Sequence, residues 1–367
     1  MTKTTNKITK DDTKIATLRG KLADKLPSRK PQPAARITND NISEHRENIL
    51  ARGRKLKYPM QYSKNRLLIT TIVVIVVAVT GFSLWLHNSL YRQQQTGDFY
   101  YSVSKILPLS VADVDGAKVR YQDYLRRVRA DIHYYLNREG RSFNSDEGKK
   151  ELDYHKRKNL LTAERAAYVR KLAKDNNVTV TRAEADVKIK QMREADGASE
   201  EDLISTLNSY YGWTLDDFRS TITDQLLEQK LVYAIDKDAK KEIEQIEKQL
   251  QQGSDFATIA KESSDDSATS ANGGAVNVKA SISDPTGIVD EAKKLEIGKL
   301  TDIKKVQVDN VNYYYIARLD SKTDDQISYS IIMIKLDKLD RDFAKLQKDG
   351  KVHEYISVPA ESDFAKQ

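Results

Sequence analysis

The chain has 367 residues, no cysteine and a formal net charge of +7. Without cysteine, disulfides, thiolate zinc sites and thiol catalysis are excluded, so core packing must hold the folded parts together. The basic excess lies in residues 1–66, which carry 17 Lys and Arg against 6 Asp and Glu and so a net charge of +11. The remainder has a net charge of −4. A basic tail in front of an apolar segment favours membrane topology over nucleic-acid binding, and we expect no nucleic-acid partner.

Residues 1–66 predict a largely disordered cytoplasmic tail with one short helix around Ile42–Ala51, because large apolar side chains are few. Leu67–Leu86 is a run of twenty residues without a charge, long enough for the roughly 30 Å core of a bilayer. We therefore expect a transmembrane helix over 67–88. The basic flank before it predicts a cytoplasmic N-terminus, with the rest of the chain outside the plasma or inner membrane. A cleaved signal peptide is disfavoured, since the apolar run is too long and begins too late.

A linker is expected over 89–110 and an all-helical domain over 111–237. The helical domain opens with a hairpin around the Asp115-Gly116 turn. Thr181 and Glu184 predict a capping box at the start of a later helix. Apolar spacing and capping signals predict helices over 120–137, 152–175, 181–195 and 199–211, and from 214 onward.

The segment 238–358 mixes short helices with strand patterns, which predicts an α+β domain, and 359–367 is expected to be a tail. The predicted helices are 239–252, 255–264 and 288–295, and the predicted strands are 275–278, 306–309, 312–319 and 327–336.

Motifs in both domains resemble the SurA, PpiD and PrsA group of membrane-anchored extracytoplasmic folding factors. In the helical domain they are the V-A-D-V-D-G-A-K-V hairpin at 111–119 and Y-G-W-T-L-D-D-F-R at 211–219. In the α+β domain they are G-S-D-F-A at 253–257, N-G-G at 272–274 and L-E-I-G-K-L-T at 295–301. The resemblance implies a SurA-like helical chaperone domain and a parvulin-like (PpiC) peptidyl-prolyl isomerase domain, which follow the transmembrane helix that the apolar run predicts.

Parvulins carry an apolar proline pocket of a Met and a Phe beside two histidines and a Cys or Asp. By this resemblance Asp266 takes the Cys or Asp position and is the single catalytic candidate. The Met and Phe positions fall near Asp284 and Ile288, and one histidine position falls on Tyr315. The expected substrate-binding residues are Tyr313, Tyr315, Ile331, Ile288 and Asp266.

The other histidine should lie in a strand before the helix that begins near Ala239, where the sequence instead continues a helix. The segment Y-S-I-I-M-I-K-L at 329–336 resembles that strand, but it follows the last strand of the domain. One interpretation is a circularly permuted domain with Ile331 at the histidine position. The other is that this strand begins a second, truncated module. Permutation requires 327–336 to pair beside 313–319 in the centre of the sheet.

These patterns predict a membrane-tethered folding factor that binds unfolded or newly exported polypeptides and has little or no isomerase activity. Two alternatives stay open, an active isomerase with an atypical pocket and an envelope scaffold that uses the parvulin fold as an interaction module. Expected partners are unfolded or secreted polypeptides, membrane lipid through one helix, and the translocation machinery. No cofactor or metal site is expected, because Asp265-Asp266 resembles an acidic surface pair and no metal-binding motif occurs.

Overall fold

The computed structural model describes residues 38–57 and 64–360, and the chain divides into two units, residues 1–81 and 82–367. The described helices are α1 (Asn39–Lys57), α2 (Lys64–His87), α3 (Asp98–Ile106), α4 (Tyr121–Asn137), α5 (Asp146–Asp175), α6 (Arg182–Ala195), α7 (Glu200–Tyr211), α8 (Leu215–Ile235), α9 (Lys237–Gln251), α10 (Phe256–Ser263), α11 (Ile288–Lys293) and α12 (Lys338–Lys348). The described strands are β1 (Ser110–Val114), β2 (Ala117–Arg120), β3 (Ala275–Lys279), β4 (Lys304–Val308), β5 (Val311–Lys322), β6 (Gln326–Lys335) and β7 (Val352–Glu354).

Two helices precede the folded part of the chain. Helix α1 is longer than the Ile42–Ala51 helix that the sequence predicts, and the rest of the predicted disordered tail lies outside the described residues. Helix α2 runs without a break into a π-helical turn at Asn88–Arg92. Within the described ranges, 66–92 is the one helical stretch long and apolar enough to cross a membrane. The apolar helix is thus present, and its insertion in a membrane stays a prediction.

The helical half is organised by its turns and caps. The β1–β2 hairpin turns at Asp115 and Gly116, which have positive φ angles of 48° and 85°, as a two-residue hairpin turn requires. Thr181, Ser199 and Thr214 each form a capping box at the start of a helix. Each capping box satisfies two backbone N–H groups that would otherwise lack a partner, and it thereby fixes where the helix begins. The predicted starts of these three helices agree with the observed ones.

The C-terminal segment, residues 338–358, packs against the helical half of the protein. Strand β7 pairs antiparallel with β1 and gives a second sheet of order β2-β1-β7. The ring centroid of Phe343 in α12 lies 6.0 Å from that of Tyr168 in α5. Leu339, Ile356 and Val358 are buried in the same core. These contacts make residues 338–358 part of the helical half. From the sequence alone they are predicted to belong to the α+β domain, because they follow it in the chain.

Two charged residues of α5 lie at this junction. Arg157 donates to Glu354, with its Nη1 2.5 Å from a carboxylate oxygen, and also to the carbonyls of Val358 and Pro359. Glu164, two turns further along, is 0% exposed, and its two carboxylate oxygens have no hydrogen-bond partner among the described residues. Burial raises the pKa of Glu164 to about 8, with the nearby Glu354 adding to the effect and Arg157 opposing it.

The α+β half is built on an antiparallel sheet of order β3-β6-β5-β4. Successive side chains of a strand point to opposite faces, so each inner strand contributes to two cores. One face packs in the main core with α9 and α10, through Tyr314, Ile316, Ile332 and Ile334. The other face forms a separate core with α11, through Tyr315, Ala317, Leu319, Ile327, Tyr329, Ile331 and Met333. The helical and α+β parts of the expected fold class are confirmed.

Two segments differ from the sequence prediction. The predicted linker contains α3 and the buried Leu90, whose carbonyl accepts a hydrogen bond from the Tyr121 hydroxyl at 2.6 Å. Helix α5 begins at Asp146, six residues before the predicted start, because the Ser145 side chain caps it. The first turn of α5 is polar, so apolar periodicity alone does not reveal it.

Candidate functional site

The predicted substrate-binding residues gather on the face of the sheet that α11 covers. Tyr315 (3% exposed), Ile331 (3%) and Ile288 (7%) belong to one buried apolar cluster. Tyr313 is partly buried and packs at the margin of that cluster. Asp266 lies in the loop that follows α10, next to Asp265, whose backbone N–H donates to the carbonyl of Met333 at 2.8 Å.

Strand register explains why these side chains meet. Tyr315 of β5 stands opposite Met333 of β6, and Ala317 stands opposite Ile331. Tyr315 and Ile331 are therefore diagonal neighbours on one face, which places such residues roughly 7–8 Å apart. Because Ile288 packs over them from α11, the three predicted binding residues are enclosed, and the partly buried Tyr313 lies at the margin of the cluster.

The Asn272-Gly-Gly turn sets the position of β3 beside Ile331. The Gly274 carbonyl accepts a hydrogen bond from the Ile331 N–H at 2.9 Å. Gly274 has a φ of 78°, and a Cβ placed on it would lie 2.2 Å from the Ile331 carbonyl oxygen. Only glycine allows this approach of the two backbones.

Two residues of the same face are missing from the sequence prediction. Tyr329 and Met333 are 6% and 5% exposed and lie in the cluster with Ile331. Each lies two residues from Ile331 along β6, and residues i and i+2 of a strand point to the same side. This spacing could have assigned both residues to the face of Ile331 from the sequence.

Asp266 is engaged in its own turn. One carboxylate oxygen accepts from the backbone N–H of Ala268 at 3.1 Å, and the other accepts from the Thr269 hydroxyl at 2.5 Å. This arrangement is typical of an aspartate that stabilises a turn. It commits both oxygens to the loop, so a catalytic role for Asp266 gains no support from the geometry.

Asp284, which falls near the position of the family's pocket methionine, holds the loop before α11. Its carboxylate accepts from the Thr286 hydroxyl and backbone N–H, and from the Val289 N–H at 2.7 Å. Burial by itself raises the pKa of Asp284, but these hydrogen bonds outweigh it and the net shift is downward. Asp284 is therefore a charged loop anchor where an apolar pocket residue would be expected.

The two buried phenols of the site remain neutral at physiological pH. Burial raises the pKa of Tyr315 to about 12, and the charges of Glu291 and Asp284 add to the effect. Burial likewise raises the pKa of Tyr329 to about 12, with Asp284 and Asp266 contributing. Neutral phenols can donate hydrogen bonds to a peptide carbonyl, but they do not exchange protons near pH 7.

None of the five histidines lies on the four-stranded sheet. His155 is paired with Asp131, with its Nδ1 3.0 Å from the carboxylate, and His353 is on β7. Among the described residues there is also no group of three or more His, Asp or Glu side chains that could hold a metal ion. The site thus offers apolar surface and phenolic hydroxyls, without a base that titrates near neutral pH.

The fold and the site define a class of protein, in which a helical domain completed by the C-terminal segment is joined to an antiparallel α+β domain. Family models identify both halves. Residues 60–232 match the SurA-like N-terminal domain, and residues 229–309 match the PPIC-type PPIASE domain. The chain therefore carries a SurA-like N-terminal domain followed by a PPIC-type peptidyl-prolyl isomerase domain.

Two solved structures are similar to this chain, both peptidylprolyl isomerase PrsA. The protein from Bacillus anthracis is 20% identical over 49% of this chain and 82% of its own, with a TM-score of 0.17. The protein from Bacillus cereus is 20% identical over 56% of this chain and 78% of its own, with a TM-score of 0.18. TM-scores this low do not establish a common overall arrangement. No curated protein matches the chain.

Proposed function

We propose that the protein is a membrane-tethered extracytoplasmic folding factor that binds unfolded or newly exported polypeptides and has little or no isomerase activity. The family supports a role in protein folding. The observation that carries the finer proposal is the chemistry of the sheet face under α11. Tyr315 and Ile331 stand where the resemblance to parvulins would place histidines, and both are buried in an apolar cluster. The lack of histidine argues against catalysis of prolyl rotation, and a held chain would contact the margin of the cluster at Tyr313.

The membrane tether is supported by the composition of α2 and its flank. Twenty uncharged residues suffice to cross the bilayer core, and basic residues precede them in the sequence. Tethering would raise the effective concentration of the folded domains near chains that emerge from the membrane. Reporter fusions at the C-terminus should be active outside the cytoplasm. Cytosolic reporter activity would refute the proposed topology and, with it, the extracytoplasmic role.

Two assays on the full chain in nonionic detergent test holding against catalysis. In the first, the protein is added to a chemically unfolded client during dilution, and light scattering should fall with increasing protein. In the second, a protease-coupled assay with a proline peptide should show no turnover above the uncatalysed rate. Turnover comparable to an active parvulin measured alongside would favour the alternative of a working isomerase. Asp266→Asn is the matched variant, and it should leave both readouts unchanged.

Crosslinking separates a chaperone from a scaffold. A photoreactive residue at Tyr313 is preferable to one at Tyr315, because Tyr313 lies at the margin of the cluster while Tyr315 is enclosed. Diverse secreted chains in the captured material would support the chaperone. A single stoichiometric partner would support an envelope scaffold. A matched probe at Lys348, the exposed end of α12, reports background capture.

We further propose that the isomerase domain, 238–337, is circularly permuted, and that 111–237 and the returning segment 338–358 together form the chaperone domain. The support is that β6 pairs antiparallel with β5 along the centre of the sheet, while α9 follows α8 without an intervening strand. Moving 326–336 to a position before Lys237 should preserve the sheet. If the reordered chain fails to fold while the fragment 237–337 folds, permutation is wrong and the strand belongs to a separate module.

A further inference from the structure

Helix α1 lies before both family-model matches and presents an unusual surface. Ile42, Ile49 and Leu56 are 53%, 61% and 84% exposed, and Leu50 is 48% exposed. None of the described residues of α1 is buried. At 3.6 residues per turn, Ile42, Ile49 and Leu56 fall within about 40° of one another around the helix axis. We call these three residues the apolar stripe.

Three of the five basic residues of α1 lie beside the apolar stripe, whereas Arg54 and Lys55 lie about 120° and 140° from Ile42. Arg46 and Lys57 lie about 40° and 60° from Ile42 on one side of the apolar stripe, and Arg52 lies about 80° away on the other. The three acids of the helix, Asp40, Glu44 and Glu47, lie about 140–200° from Ile42, on the opposite face. An apolar stripe flanked by basic side chains is typical of a helix that lies in a membrane interface.

The position of α1 in the chain fits the same surface. Six residues, 58–63, separate Lys57 from Lys64, where α2 begins, so seven residue steps place the end of α1 at most about 25 Å from the start of the apolar helix. Four of the five basic residues of α1 lie in its last six positions, 52–57, towards that end. Basic residues beside a membrane span are attracted to anionic headgroups.

We propose that α1 lies in the interface of an anionic lipid leaflet, on the side where the N-terminus resides, with the apolar stripe among the acyl chains and Arg46 and Arg52 at the lipid phosphates. This inference rests on the proposed membrane span. In this arrangement α1 lies flat on the membrane surface. It thereby adds a second, charge-selective attachment to the one that α2 supplies.

A second copy of the chain is a poorer occupant. If Ile42, Ile49 and Leu56 took the a positions of a heptad, the d positions would be His45 and Arg52. A coiled-coil seam needs apolar residues at both positions, so this pairing would bury a charged or polar side chain in every heptad. A lipid interface tolerates basic residues beside apolar ones, because the long basic side chains can extend from the apolar stripe to the headgroups.

The absence of cysteine makes a direct test possible, because one introduced cysteine is the single labelling site of the chain. The full chain is reconstituted in nanodiscs of phosphatidylcholine with or without phosphatidylglycerol. Ile49→Cys carries an environment-sensitive fluorophore on the apolar stripe, and Glu44→Cys carries it on the opposite face as the matched control. With anionic lipid, the Ile49 label should shift to shorter wavelength and be quenched by nitroxide lipids, while the Glu44 label should not.

Charge selectivity gives the second readout. Arg46→Gln and Arg52→Gln, each combined with Ile49→Cys, should lower the ratio of bound to free helix by about fivefold apiece. High salt should act in the same direction. Val74→Cys with the same fluorophore tests the membrane span separately. A lipid that carries its nitroxide deep in the bilayer should quench this label if α2 crosses the membrane.

The outcomes are distinct. A lipid-exposed Val74 label together with a water-exposed Ile49 label in anionic discs overturns this inference and leaves the tether intact. A water-exposed Val74 label overturns both. An Ile49 shift that needs two copies per disc and ignores lipid charge identifies helix pairing and also overturns the inference.

Discussion

Replacing Glu164 by Gln should stabilise the folded protein at neutral pH and change little in acid. Glu164 is fully buried without a hydrogen-bond partner among the described residues, and its pKa rises from the ordinary 4.5 to about 8 in the folded state. Between these two values the folded state binds more protons than the unfolded state, so stability falls as pH rises. The penalty for the ionisable side chain is roughly 1 kcal/mol near pH 5.5 and roughly 4 kcal/mol near pH 7.5.

Urea unfolding of the full chain in nonionic detergent, followed by tryptophan fluorescence at both pH values, measures this difference. Glu164→Gln should gain a few kcal/mol over the unaltered protein near pH 7.5, and much less near pH 5.5. Glu228→Gln is the matched control, because Glu228 is partly exposed and paired with Arg165 at 2.7 Å. It should lose about 1 kcal/mol or less at both pH values. A Glu164→Gln effect that is destabilising, or equal at the two pH values, would refute the reasoning.

Two further substitutions test the sheet and the C-terminal return by the same unfolding measurement. Gly274→Ala should cost roughly 2–4 kcal/mol, from its positive φ, the contact with the Ile331 carbonyl and the loss of one hydrogen bond. Gly350→Ala, at a φ of 66° with no atom within 4 Å, should cost only about 1 kcal/mol, and equal losses would contradict the close approach. Phe343→Ala should cost about 3–5 kcal/mol and speed hydrogen exchange in α5 around Tyr168. Unchanged exchange there would show that α12 does not pack on α5.

Local chemistry made much of the helical half predictable. The hairpin at Asp115-Gly116 follows from the positive φ angles that its turn demands, and Thr181 and Thr214 begin helices because their side chains cap the first N–H groups. Each signal involves residues at most three apart in the chain. Such signals do not depend on which surface the element later covers.

The candidate site was predictable in part. The resemblance to parvulins assigns Tyr315, Ile331 and Ile288 to one binding surface, and the fold places all three in one cluster. Their enclosure by α11 was not visible in the sequence, because a six-residue helix carries too little periodicity to show which face it covers. The role of Asp266 as a turn residue depended on hydrogen bonds to Ala268 and Thr269 that only coordinates reveal.

The sequence by itself determined the apolar helix, the order of domains, the caps and the absence of histidine between His155 and His353. Tertiary structure alone decided that the C-terminal segment closes the helical half, that Glu164 is buried with no partner among the described residues, and that α11 covers the sheet face. The physical reason is that an amphipathic pattern indicates which face of a helix or strand must be buried. It does not indicate which distant part of the chain will cover that face. That choice depends on the shape and charge of the whole folded chain.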